Sequence, residues 1–481
     1  MDIKQRKITP EHVKFLVDTT FSGIKRVGVS EKREKEEESN KRDYIKKIFE
    51  AAFLDNERVN LIVYANYSLC DLNKIILEEA KKYNIDQIVV YGVGKEDFGY
   101  TDRDYLGSFR NPHFALGYIP DERGSYYRPV WRWNSLEQVS EMVPKYPKFN
   151  HQYDTRVIKL IDDKVSISKE QSLEYNMRYD TYNKKHHELN SDFWDTLWIA
   201  ESKNNVITVP CPNDYWSHRL KCADHNLWGM VNLEVLSINS SEYQEDLKRL
   251  RMIKEQLQSM EIKNLSFYTD AGTDFRIGLT DHSKWICEPF DERFYHSFPS
   301  YELYTTPDFY SANGTIVTTK SDNRNLFSSK MKLVFVDGVL DGYKATNGGE
   351  IKNALLQIGK IALVSKTTPL NRVDPYKSGE TDSNTTQYPN PDIISSGSFE
   401  HIALDRNTGC HITLGNYYPE ATDLGRLSDD DATSNHFNVV SPYNLKNEHF
   451  DLVFGDESIT VEAEVGGKSK VLIMEKGIWK I

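Results

Sequence analysis

Between Asp43 and Gly94 the chain alternates helix-like and strand-like segments, and this alternation constrains the fold more than any other feature. DYIKKIFEAAF and DLNKIILEEAKKYN carry apolar residues at helical spacing, whereas VNLIVYANY and DQIVVYGVG are short apolar runs of strand length. Strands alternating with helices of this size predict βαβ units and a parallel sheet. The GVG that ends the last run is not a dinucleotide fingerprint, because no third glycine follows and no helix start fits.

After Leu265 the pattern changes to closely spaced strands. LSFYTDAGTDFRIGL, MKLVFVDGVLDGYKA and KVLIMEKGIWKI each read as a hairpin, the second turning at Asp337-Gly338. A long amphipathic helix, SSEYQEDLKRLRMIKEQLQSMEI, precedes this β-rich half. At 481 residues the chain is long for a single core. The expectation is an α/β protein of two domains, an N-terminal βαβ-type domain over 43–240 and a β-rich C-terminal domain over 241–481. Residues 1–42 form an extension that ends in the charged run SEKREKEEESNKRD, read as an exposed helix or a linker. A polar insert over 366–396, full of turn formers, interrupts the C-terminal domain. The stretch from Arg103 to Asn150 is rich in Tyr, Trp, Pro and Arg without clean periodicity, and it wraps a surface or lines a groove.

The net charge of -12 argues against nucleic acid as a partner, since nucleic-acid binders carry a basic face. No run of eighteen apolar residues marks a membrane span, and MDIKQRKITPEHVKF lacks the apolar core of a secretory signal. Five scattered cysteines argue against a disulfide framework and against a cysteine zinc site. These features place the protein in the cytoplasm.

In EHFDLVFG, His449 and Asp451 share one face of a strand while Phe450, Leu452 and Phe454 share the other. Such a motif alone is usually a polar outer face. Two further segments carry ligand-type residues, however: FPSYELYTTP contains Glu302, and DRNTGCHITLGNYYP contains His411 and Tyr418. Together they offer carboxylates, imidazoles and a phenol, donors that suit Zn, Co, Mn or Fe.

These three segments resemble the motifs of the aminopeptidase T and aminopeptidase S (PepS-type) family of metallopeptidases. PSYELYTTP resembles that family's P-T-x-E-V-F-T-x-P, GCHITLGNYYP its S-C-H-I-A-L-G-x-A-Y-P, and EHFDLVFG its H-V-D-F-M-I-G. The motifs arrive in the family's order. The resemblance implies a two-domain architecture with the site in the C-terminal domain, in the groove between the two, and metal ligands at Glu302, His411, Tyr418, His449 and Asp451. It also implies a metallo-aminopeptidase-like hydrolase, a small peptide or aminoacyl substrate, and a homodimer.

The chain departs from the family at one expected ligand. Where the family has L-G-E-V-A-L, this sequence reads IGKIALV, so Lys360 replaces a metal-binding Glu. The family's LFDEN run is altered to ALDRN, which puts Arg406 in place of an acidic residue. Two ions held close together need bridging carboxylates against their mutual repulsion, so one divalent ion is expected rather than two. Lys360 and Tyr418 are the expected catalytic residues, with Lys360 a general base or an oxyanion stabiliser. The polar insert lies between Lys360 and His411 and is placed to cover the site. Two alternatives use the same residues. One is a mononuclear non-haem Fe(II) oxygenase in which Glu302, His449 and Asp451 form a facial triad, as in the ring-opening dihydroxypyridine dioxygenases that resemble this family. The other is an inactive binding homologue.

Overall fold

A computed structural model describes residues 31–53, 57–65, 72–91, 148–161, 188, 191–202, 205–212, 216, 224–232, 236, 241–287, 299–321, 331–345, 357–372, 399, 401–439, 450–466 and 469–481. Residues 1–30, the aromatic-rich stretch up to residue 147, most of the insert after residue 372, and His449 lie outside the described residues. The chain divides into two compact units. The first is Met1–His218 with Ala223–Asn232 and Asp291–His296, and the second is Arg219–Cys222, Leu233–Phe290 and Ser297–Ile481.

The first unit has the parallel sheet that the alternating pattern predicts. Strands β1 (Val59–Ala65), β2 (Ile85–Tyr91), β3 (Thr155–Ile161) and β4 (Val206–Pro210) lie in the order β2-β1-β3-β4, every pair parallel. Ile62, Val89, Val157 and Val206 bring one residue from each strand into a core shared with Phe193 and Leu197 of a helix, Ser191–Ser202.

The charged run differs from its expectation. It is the first half of one continuous helix, α1 (Glu31–Ala52), so the boundary expected after residue 42 falls inside a helix. Its buried stripe runs back from Ala52, Phe49, Ile48, Ile45 and Tyr44 to Lys41 and Glu37. These two charges are buried as an i,i+4 pair at 2.7 Å, with the Lys41 ammonium 5.3 Å from the Trp228 ring centroid. Charge in a sequence run signals exposure only when no partner lies on the same face.

The second unit opens with the long helix Ser241–Ser259, which buries Tyr243, Leu247, Leu250, Ile253 and Leu257 along one stripe. Two antiparallel sheets follow. The larger comprises β5 (Ile262–Tyr268), β6 (Asp274–Gly278), β9 (Asp308–Val317), β11 (Met331–Val336), β12 (Val339–Ala345), β16 (Thr460–Val465), β17 (Ser469–Glu475) and β18 (Ile478–Trp479), ordered β12-β11-β9-β6-β5-β16-β17-β18. All three expected hairpins are in it: β5–β6, β11–β12 and β17–β18. Asp337 and Gly338 both have positive φ, as a tight two-residue turn between twisted strands requires.

The smaller sheet comprises β7 (Ile286–Cys287), β8 (Leu303–Thr305), β10 (Lys320–Ser321), β13 (Ile358–Leu363), β14 (His411–Leu414) and β15 (Phe450–Val453), ordered β10-β15-β14-β13-β8-β7. Leu303, Ile361, Leu363, Ile412, Leu414 and Leu452 join Phe267, Phe275 and Phe335 of the larger sheet in one apolar cluster. One face of the smaller sheet is therefore spent on the core. Its other face is free to carry chemistry.

Candidate active site

Strand alternation and register decide which side chains share that second face. Lys360 stands opposite Thr413, and Thr413 stands opposite Asp451, across three adjacent strands. One step along, Tyr304, Ala362 and His411 are in register. Glu302 precedes Tyr304 by two positions and so shares its side. The face thus collects Glu302, Tyr304, Lys360, His411, Thr413 and Asp451, while their sequence neighbours Leu303, Ile361, Ile412 and Leu452 point into the core. The HxD alternation expected in EHFDLVFG has this cause for Asp451.

Lys360 and Glu302 are each only 1% exposed. The Lys360 ammonium donates to Glu302 Oε2 at 3.0 Å and lies 4.9 and 5.2 Å from the ring centroids of Tyr304 and Tyr418. His411 Nε2 lies 2.9 Å from the same carboxylate oxygen. Asp451 accepts a short hydrogen bond from Thr413 Oγ1, and the Arg406 guanidinium lies 3.8 Å from its other oxygen. That separation is a charge contact rather than a hydrogen bond.

Burial pushes the Glu302 carboxyl up, but Lys360, Arg406 and His411 together hold it well below the usual carboxylate range. Asp451 is likewise raised by burial and brought down to about 2 by Lys360, His411, Arg406 and Thr413. Burial first, and then the charge of Asp451, push the Tyr418 phenol well above its ordinary value.

The Lys360 ammonium weighs against an ion on Glu302. An ion bound to Glu302 at about 2 Å would face the Lys360 ammonium at roughly 4 Å, where a divalent charge and a unit charge repel by roughly 8 kcal/mol at an effective dielectric of about 20. The donor-type side chains at this face besides Glu302 are His411, Asp451 and Tyr418; the expected His449 is outside the described residues. Among the described residues, no group of three His, Cys, Asp or Glu side chains converges as a complete ion site by itself.

Several positioning residues escaped the reading of the sequence. Thr306 Oγ1 donates to the Gly359 carbonyl at 3.2 Å and accepts from the Tyr418 amide at 3.0 Å, tying the Glu302, Lys360 and Tyr418 segments together. Asn407 accepts from the Tyr301 amide at 2.7 Å and donates to the Pro299 carbonyl at 3.0 Å, fixing the approach to Glu302. Both lie within segments already singled out, PSYELYTTP and ALDRN, but only strand register assigns them a partner. Gly359 allows a close approach, since a Cβ there would lie 2.1 Å from the Asn416 carbonyl oxygen.

Comparison with known proteins gives the same direction as the motifs. The model of the thermophilic metalloprotease (M29) family matches residues 135–376, half of the chain, a span that includes Glu302 and Lys360 and stops before His411. Aminopeptidase 2 of Geobacillus stearothermophilus is 23% identical over 393 residues, 76% of this chain and 84% of that protein. Aminopeptidase PepS of Streptococcus thermophilus is 26% identical over 227 residues, 44% of this chain and 48% of that protein. The solved structure of AmpT from Thermus thermophilus has the same fold, with a TM-score of 0.60 and 15% identity over 92% of this chain and 100% of that one.

Proposed function

The chain belongs to the M29 family of thermophilic metalloproteases, and on that premise we propose that it removes residues from the amino end of a small peptide or aminoacyl substrate with one divalent ion rather than two. It is a metal-dependent, aminopeptidase-like hydrolase, in keeping with its relatives. The observation that carries the single-ion reading is the Lys360 ammonium buried at 3.0 Å from Glu302. His411 and Asp451 would hold the ion, with His449 as the expected further ligand. Once bound, the ion, whether Zn, Co, Mn or Fe, supplies a polarised carbonyl and an activated water.

The chain's own residues do the rest. Lys360 donates a proton-bearing hydrogen bond to Glu302, which is the work of a fixed cation. This favours its role as a stabiliser of developing negative charge over that of a general base. Tyr418, kept protonated, can donate to the same developing oxyanion or to the leaving group. The Thr306 bridge keeps both in one register. The Fe(II) oxygenase alternative needs Glu302 as an open ligand, and Lys360 already holds that carboxylate.

A cytoplasmic location is part of the same proposal, in keeping with the five scattered cysteines of the sequence. No helix among the described residues is long and apolar enough to cross a membrane. The homodimer carried over from the family resemblance is part of the same proposal, to be checked by light scattering. The test of function is a panel of aminoacyl p-nitroanilides and dipeptides, assayed after repletion with each of the four ions. Release of the amino-terminal residue with at least one ion is expected. No turnover on any substrate with any ion would overturn the reading.

A further inference from the structure

Each of the two described carboxylates on the site face has its own side-chain cation. Glu302 faces Lys360 at 3.0 Å, and Asp451 faces Arg406 at 3.8 Å. The two pairs lie at opposite ends of one register ladder, Glu302 beside β8 and Asp451 on β15, with Lys360 and Thr413 between. Lys360 and Arg406 are also the two positions where motif comparison finds a cation in place of an acidic residue. Two negative charges thus meet two positive ones, and the face is balanced before any ion arrives. A buried carboxylate without such a partner would be an uncompensated charge.

We infer that Lys360 and Arg406 form a built-in cation pair that keeps Glu302 and Asp451 assembled without metal and makes the divalent ion weakly held and exchangeable. This rests on the single-ion reading above and adds Arg406 as a positioning residue for the metal site. The ion becomes a reversible visitor to a finished site, and the fold around it forms without the ion. Arg406 acts through Asp451, and Lys360 through Glu302. Removing either cation leaves a carboxylate with spare donor capacity, and a metal ion is then the best available partner.

The experiment titrates the full-length protein with CoCl2 alone, by calorimetry and by the visible absorption of bound Co2+, for wild type, Lys360→Met and Arg406→Gln. Melting temperature with and without EDTA is read on each protein as purified, before any Co2+ is added. The inference predicts that wild-type melting is unchanged by EDTA. It predicts that each folded variant binds Co2+ at least about tenfold more tightly, since one unit of positive charge has left the neighbourhood of the ion. Arg406 is at the edge of the site, its side chain 19% exposed, so Arg406→Gln tests the idea even if Lys360→Met fails to fold. Unchanged affinity in the folded variants overturns the inference, as does a wild-type melting temperature that falls on chelation. If wild type binds one Co2+ and the variants bind it no better, the inference fails and the single-ion reading stands. If wild type binds none and the variants gain an ion, the inference stands and the single-ion reading fails.

Discussion

The ammonium of Lys360 lies 3.0 Å from the carboxylate of Glu302, both side chains buried and the ammonium against the rings of Tyr304 and Tyr418. In the motif resemblance Lys360 stands in for an acidic ligand, which would exchange a charge that attracts a metal for one that replaces it. Truncating one partner strands the other. Lys360→Met is expected to cost about 3–5 kcal/mol, the usual penalty for a buried charge left alone. The double variant Glu302→Gln, Lys360→Met should recover a large part of that loss. Urea denaturation of the four proteins in the cycle measures it, and a double variant no more stable than Lys360→Met would show that the two residues are not coupled.

Thr413 anchors Asp451 by a short hydrogen bond from its hydroxyl. Thr413→Val keeps the shape and removes the donor to a charged acceptor, an expected loss of about 1.5–3 kcal/mol. Thr413→Ser should retain most of the stability. A loss in Thr413→Ser with none in Thr413→Val would point to packing of the methyl group instead.

Acid stability of protein stripped of metal follows from Asp451, held at about 2 against an ordinary value of 3.8. The unfolded chain binds this proton more readily, so the group stabilises the fold fully above about pH 4. That contribution, roughly 2 kcal/mol, disappears as the pH falls through about 2. Glu302, held low by Lys360, adds in the same direction. A pH series of denaturation midpoints in wild type and Asp451→Asn should converge at the acid end. Parallel curves across that range would remove Asp451 from the explanation.

Gly359 precedes Lys360 in β13, where a methyl group would lie 2.1 Å from the Asn416 carbonyl oxygen and 2.4 Å from that of Gly415. Backbone cannot yield as a side chain can. Gly359→Ala should therefore cost about 1–3 kcal/mol or more by forcing β13 away from its neighbour. Gly425→Ala, where a Cβ would meet nothing within 4 Å, serves as the comparison, though its positive φ carries a smaller penalty of its own. A Gly359→Ala protein as stable as wild type would mean that the segment around Asn416 is free to shift.

Much of the fold could be read from local pattern. The parallel strands of the first unit and the three hairpins of the second follow from hydrophobic period and from turns such as Asp337-Gly338. Segment boundaries near charge could not, because the partner that buries Glu37 and Lys41 is Trp228, nearly two hundred residues away. The site was legible in part. Glu302, His411, Tyr418 and Asp451 stand out by residue type and motif, and His411 and Glu302 do meet. What motif reading could not supply is that Lys360 sits on Glu302 itself, or that Thr306, Thr413 and Asn407 position the ligands. Those facts depend on cross-strand register between segments up to about a hundred residues apart, which no local spacing encodes.

The central claim is that the chain carries one of its site cations as Lys360 and works with one metal ion. The direct measurement is elemental analysis of wild-type protein after gel filtration from excess Zn2+, Co2+ or Mn2+, scored as ions per chain at the site. The account predicts at most one ion, with Lys360 still bound to Glu302 when the loaded crystals are examined by anomalous scattering. Two ions per chain, one of them on Glu302 with the Lys360 ammonium displaced, would contradict it.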